Sequence, residues 1–202
     1  MLDAAFVKTF VQHFQANAWK RSTVSKPRKQ IIVLAEPCGS GKSTVTQQLS
    51  AAFKVPFVEG DELHTPDAIA QMEAGAPLDD VTRFPWLERI KQRALSTVTE
   101  LGYGKVFVSC SALKRAYRDK IRELERDNED VKVSFVDLQV EEEELIRRMR
   151  DRGGHYMKEG MVKSQLEIRE EADMFETDVL PVDAGRRVED VVKEVLGLLE
   201  NV

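Results

Sequence analysis

The chain has 202 residues, of which 42% are hydrophobic and 32% charged, the balance of a folded soluble domain long enough to bury its own core. Thirty Lys and Arg against 35 Asp and Glu leave a net charge of −5, an unfavourable default for nucleic-acid binding, and no apolar run approaches membrane-spanning length. The two cysteines, Cys38 and Cys110, form no CxxC pair, which excludes a disulfide framework and a cysteine zinc site and makes the reducing cytoplasm the simplest location.

Taken in chain order, residues 1–29 stand apart. Leu2, Phe6, Phe10 and Phe14 recur every fourth position, the stripe of an amphipathic helix, and Lys20, Arg21, Lys26, Arg28 and Lys29 then crowd the segment around Pro27. A docked helix with a solvated basic linker is the expectation; a presequence or partner-binding helix is the alternative, and Asp3 speaks against the presequence. From Gln30 onward short β-branched runs alternate with helical patterns. Strands are predicted at 31–35, 55–58, 106–108, 131–136 and 179–182, and helices at 44–53, 86–101, 114–126, 141–152 and 188–199. Strands separated by helices predict an α/β fold: a five-stranded parallel sheet with helices on both faces, spanning residues 30–202, with a small helical lid over about 141–172.

The first strand runs into Glu36-Pro37-Cys38-Gly39-Ser40-Gly41-Lys42-Ser43-Thr44 and then a helix. This is the GxxxxGK[ST] phosphate loop of the P-loop NTPase fold with one departure. Backbone amides of Gly39, Ser40 and Gly41 and the helix N-terminus at Ser43 and Thr44 favour a polyphosphate; Lys42 reaches the β- and γ-phosphates, and the Ser43 hydroxyl suits Mg²⁺. ATP is therefore the expected phosphoryl donor. The departure is Glu36, which stands at the pattern's first glycine. A carboxylate beside bound phosphates repels them, so its side chain is expected to turn outward.

The acceptor belongs at the carboxyl ends of the other strands. Residues 59–82 contain seven acids and no Lys or Arg. Glu59 or Asp61 is the economical source of further metal ligation, and Asp61 is placed to orient an attacking hydroxyl. His64 follows closely. Ser111 is an expected N-cap for the next helix, on which Lys114 and Arg118 share a face suited to an anionic group. Glu143–Arg147 and Glu144–Arg148 are i,i+4 pairs, while Arg148 and Arg152 lead into Gly153-Gly154-His155, positions from which arginines close over a transferring phosphate.

The stretches Gly60-Asp61-Glu62-Leu63-His64, Gly75-Ala76-Pro77-Leu78-Asp79-Asp80 followed by Arg83-Phe84-Pro85-Trp86-Leu87, Cys110-Ser111-Ala112-Leu113-Lys114-Arg115-Ala116-Tyr117-Arg118-Asp119, Gly154-His155 and Ser164-Gln165, together with the phosphate loop, resemble the gluconokinase family over roughly residues 31–183. The resemblance implies ATP-dependent phosphorylation of gluconate with Mg²⁺, by a protein that is usually a homodimer. It implies that Asp61, His64, Arg83, Lys114, Arg118 and His155 contact substrate, that Lys42, Asp61, Arg148 and Arg152 serve transfer, and that Trp86 and Tyr117 shape the pocket by packing. Three positions depart from the family pattern: Glu36, Thr82, and the run Gln165-Leu166-Glu167-Ile168-Arg169-Glu170. Another small anionic acceptor such as shikimate, or a nucleotide-binding regulator, are the competing readings.

Overall fold

The structure, a computed structural model, describes residues 28–151 and 159–199. Five parallel strands form one sheet in the order β2-β3-β1-β4-β5: β1 (Lys29–Ala35), β2 (Phe57–Glu59), β3 (Lys105–Ser109), β4 (Val131–Gln139) and β5 (Val179–Asp183). Seven α-helices lie among the described residues: α1 (Lys42–Phe53), α2 (Pro66–Glu73), α3 (Asp80–Thr99), α4 (Arg115–Asp127), α5 (Glu142–Asp151), α6 (Glu159–Glu167) and α7 (Val188–Leu199).

β1 is central, and its side chains divide by the pleat. Ile31 and Val33 enter a core shared with Leu87, Ile90, Tyr117 and Ile121 of α3 and α4; Ile32 and Leu34 enter the opposite core with Val45 and Leu49 of α1 and Val192 and Val195 of α7. Burial on both faces explains the unbroken apolar run. A third, smaller cluster joins Ala68 and Met72 of α2, Leu78, Leu145 and Met149 of α5, and Met161 and Val162 of α6. These helices form a cap with a core of its own above the strand ends.

Several boundaries differ from the expected ones. β1 opens at Lys29, assigned above to the basic linker, because its amide joins Asp130 O at 2.7 Å and its ammonium pairs with Asp130. Arg28 is exposed, and the rest of that linker and the amphipathic stripe lie outside the described residues. α3 begins six residues before Trp86 because Asp79 caps it, accepting from Thr82 N at 2.9 Å, a contact worth about 1 kcal/mol. Pro85 is accommodated on its exposed side. α2 was not expected, although Thr65 at the N-cap with Pro66 at N1 is its start signal. Ser111 does not cap α4; the N-cap residue is Lys114.

Candidate active site

The phosphate loop spans the carboxyl end of β1 and the first turn of α1. Gly41 is the N-cap of α1 with φ 95°, a left-handed conformation that a Cβ would strain. Lys42 Nζ donates to Pro37 O at 2.8 Å. An ammonium carries three protons, so this bond fixes the side chain across the loop and leaves two protons for phosphate oxygens. The Cys38 amide donates to Gln165 Oε1 of α6 at 2.7 Å. Arg148 of α5 donates to Ser40 O at 3.3 Å and Ala184 O at 2.9 Å while pairing with Glu144, so it braces the outer side of the loop. The expected Glu144–Arg148 pair is formed; Arg147 is exposed and bonds Glu144 and Asp151.

Glu36 is not turned outward. It is 2% exposed, its φ is 143°, and its carboxylate is held by the Arg169 guanidinium, which also bonds Asp137 of β4 at 3.0 Å. Parallel pairing sets Ala35 opposite Asp137, which brings the two acids together. Burial first, and then Asp137, raise the Glu36 carboxyl to about 8, while the Arg169 guanidinium pulls it the other way. The side chain lies among Ser111, Arg118, Asp137, Arg169 and Glu170, away from the cavity in front of the loop. A glutamate is thereby accommodated at the glycine position, turned from the cavity and matched by a guanidinium.

The cavity in front of the loop is lined by Gly39, Gly41, Lys42 and Ser43 on one wall and by Asp61, His64, Arg83 and Ser111 on the other, with Met72, Leu78, Met149 and Gln165 closing it. Asp61 stands on a 3-10 turn (Gly60–Leu63) directly after β2. Gly60 is required there: a Cβ would lie 2.3 Å from Ser109 O of β3. The Gly60 carbonyl accepts from Trp86 Nε1 at 2.7 Å, fixing the turn against α3. His64 stacks on the Trp86 ring with centroids 4.4 Å apart and 9° between planes. Burial, with Arg83 and Arg89 nearby, lowers His64 to about 4, so the imidazole is neutral at physiological pH. Arg83 is 4% exposed, donates through Nε to Leu78 O at 3.1 Å, and has no carboxylate partner among the described residues.

The remaining site residues are distributed as follows. Ser40, Thr44 and Arg148 line an adjoining cavity behind the loop, together with Val45, Arg186 and Val188. Glu59 ends β2 with a buried Oε1 that has no partner among the described residues. Lys114, expected at the substrate, is not in the lining of the main cavity; it is bonded to Asp80 at 2.7 Å with its ammonium 5.3 Å from the Tyr117 ring, and Arg83, which does line the cavity, lies 5.8 Å from the same ring. Arg118, expected at the substrate, is elsewhere: 5% exposed, it forms a two-pronged pair with Glu176 at 2.6 and 2.8 Å and donates to Glu170 O. One turn after Lys114, its direction is into the domain because Glu176 is buried there. Arg152 and His155 lie outside the described residues. Sequence reasoning assigned no role to Ser111, Gln165, Met72, Leu78 or Met149 in the cavity, nor to Arg169, although Leu78, Ser111, Gln165 and Arg169 all fall within the stretches singled out above.

A family model described as an AAA domain matches residues 31–172. The chain is similar to the thermoresistant gluconokinase of Escherichia coli, 34% identical over 171 residues covering 84% of this chain and 93% of that protein. It is similar to the probable gluconokinase of Saccharomyces cerevisiae, 34% identical over 172 residues covering 81% and 86%. Its fold matches the crystal structure of a gluconokinase from Sinorhizobium meliloti with a TM-score of 0.73 and 38% identity, covering 86% of this chain and 94% of that one. With sequence and fold agreeing over most of its length, the chain belongs to the gluconokinase family of P-loop kinases.

Proposed function

We propose that this protein transfers the γ-phosphoryl group of ATP to the terminal hydroxyl of D-gluconate, giving 6-phosphogluconate and ADP. The observation that carries this reading is Arg83: a buried guanidinium without a carboxylate partner among the described residues, facing the phosphate loop across one cavity. A buried unpaired cation is costly, and an anionic ligand offsets that cost. Gluconate brings a carboxylate for Arg83, with Lys114 alongside, and a row of hydroxyls for Asp61 and the neutral His64. A neutral imidazole both donates and accepts, which matches a hydroxyl better than a carboxylate.

In transfer, the loop amides and Lys42 hold the triphosphate while Asp61 accepts a hydrogen bond from the attacking hydroxyl and points it at the γ-phosphorus. Phosphoryl transfer is loose, so Asp61 acts mainly by orientation. The nucleoside end occupies the adjoining cavity beside Thr44 and Arg148; for Arg152 and His155, outside the described residues, the family resemblance implies contacts to phosphate or substrate. Mg²⁺ fits the Ser43 hydroxyl at the head of α1, one protein ligand for an ion held largely by phosphates and water; Glu59, the other expected ligand, has a buried oxygen without a partner among the described residues but is not in the lining of that cavity. When bound, it neutralises charge on the β- and γ-phosphates. The reading extends to a homodimer, as the family resemblance implies, in the reducing cytoplasm that Cys38 and Cys110, outside any disulfide framework, favour; no helix among the described residues is long and apolar enough to cross a membrane.

An acceptor panel read by coupled ADP release tests the proposal. Gluconate is expected to exceed shikimate, glycerate and nucleoside monophosphates by at least about a hundredfold in kcat/KM, the scale set by buried polar groups left unpaired. Preference for any other acceptor refutes gluconate, and ATP binding without transfer to any of them favours a regulator.

A further inference from the structure

Three consecutive residues at the start of the phosphate loop are fixed by side chains from outside it or from its far end. Glu36 is held by Arg169, the Pro37 carbonyl by Lys42, and the Cys38 amide by Gln165. Gln165 and Arg169 are four residues apart, at and just beyond the C-terminal end of α6, and both face the loop. The segment they share is pinned on its other side to the start of α4: Glu170 N donates to Leu113 O at 2.8 Å, and the Glu170 carboxylate accepts from Arg115 N at 2.7 Å. One short stretch, 165–170, therefore joins the nucleotide loop to the helix that carries Lys114.

Glu36 makes this attachment a requirement. Its φ of 143° is a conformation that favours glycine, so the backbone here is strained and held by its surroundings. Its carboxylate is buried beside that of Asp137, and Arg169 is the cation that contacts both. Without the guanidinium, charge beneath the loop is uncompensated just where a triphosphate must bind.

We propose that Arg169 is a positioning residue for ATP: by neutralising Glu36 and Asp137 and tying them to the end of α6, it holds the phosphate loop in its binding conformation. The proposal rests on ATP being the donor. It makes Glu36 and Arg169 one functional unit, a carboxylate at a glycine position matched by a guanidinium 133 residues later in the chain.

A double-mutant cycle on the full chain tests it. The readouts are the Kd of a non-hydrolysable ATP analogue with Mg²⁺, the KM of each substrate, kcat and the melting temperature. Arg169→Met is expected to weaken analogue binding about tenfold or more, the scale of a buried charge losing its partner, while the gluconate KM moves less than about threefold. In a Glu36→Gly background the same substitution is expected to cost at least about threefold less, because one of the two acids that share the guanidinium, the more deeply buried one, is gone. Arg169→Lys restores part of the loss, since one ammonium cannot serve both acids as the guanidinium does. An analogue Kd unchanged in Arg169→Met, equal losses for both substrates, or an identical Arg169→Met effect in both backgrounds overturns the proposal. If Arg169→Met fails to fold alone, the comparison of Arg169→Lys with and without Glu36→Gly decides the coupling. Because the Kd needs no acceptor, a parent that binds the analogue but does not phosphorylate gluconate refutes the proposed acceptor and leaves this test intact. A parent that does not bind it refutes both.

Discussion

Lys114 and Arg118 show how residues of one type, one helical turn apart, take different work. Both were expected at the substrate from their shared face. Lys114 stays partly exposed, bonded to the exposed Asp80, which also accepts from Tyr117, and it shares the Tyr117 ring with Arg83 of the cavity wall. Arg118 is buried against Glu176, whose carboxyl it holds well below the usual range, to about 2. The two substitutions should therefore separate. Lys114→Ala is expected to raise the gluconate KM about tenfold or more with little change in melting temperature, the loss of one charged contact. Arg118→Met should instead destabilise the fold by about 3–5 kcal/mol, because Glu176 is left buried with only Arg122 against it. Urea denaturation and steady-state kinetics on both variants check this; a gluconate KM defect in a fully stable Arg118→Met protein would return Arg118 to the substrate.

At the scale of elements, the acceptor wall depends on how closely β2, the turn after it and α3 approach β3. Gly60 lies under the Ser109 carbonyl, Trp86 donates to the Gly60 carbonyl, and His64 stacks on Trp86. The 2.3 Å contact that a Cβ would make is with backbone, so neither partner yields cheaply. Gly60→Ala is expected to cost about 3 kcal/mol or more of stability and to displace Asp61 and His64 together, measured as a lower denaturation midpoint with a collapse of kcat/KM for gluconate. An alanine variant with parental stability and turnover would show that this approach does not position the site. α2 was missed because it is only eight residues long, so Ala68 and Met72 enter the cap cluster without a repeated apolar period to announce them; α6 falls within the helical lid expected over about 141–172.

At the scale of the molecule, two cores on either side of a parallel sheet supply a rigid base, and the cap above the strand ends closes the cavity. Among the described residues no cluster of three or more His, Cys, Asp or Glu side chains is arranged to hold a metal. On the proposed reading, Mg²⁺ enters with the nucleotide and takes part in transfer. EDTA is expected to abolish phosphoryl transfer while leaving the melting temperature of the nucleotide-free protein unchanged, and added Mg²⁺ to restore activity. A chelator-induced fall in melting temperature would reveal a structural metal instead.

The sequence by itself determined the sheet, the phosphate loop and the family, because each rests on local patterns: unbroken β-branched runs, glycines at fixed spacing before a lysine, and contiguous motifs. It also named Lys42, Ser43, Asp61, His64 and Arg83, which converge on one cavity. Only the tertiary structure decided the fate of Glu36 and Arg118. Their partners, Arg169 and Glu176, lie 133 and 58 positions away in the chain and meet them only where strand register and loop packing bring distant segments into contact. Whether a charged side chain faces a ligand or a buried counter-ion is set by that meeting, and no local spacing encodes it.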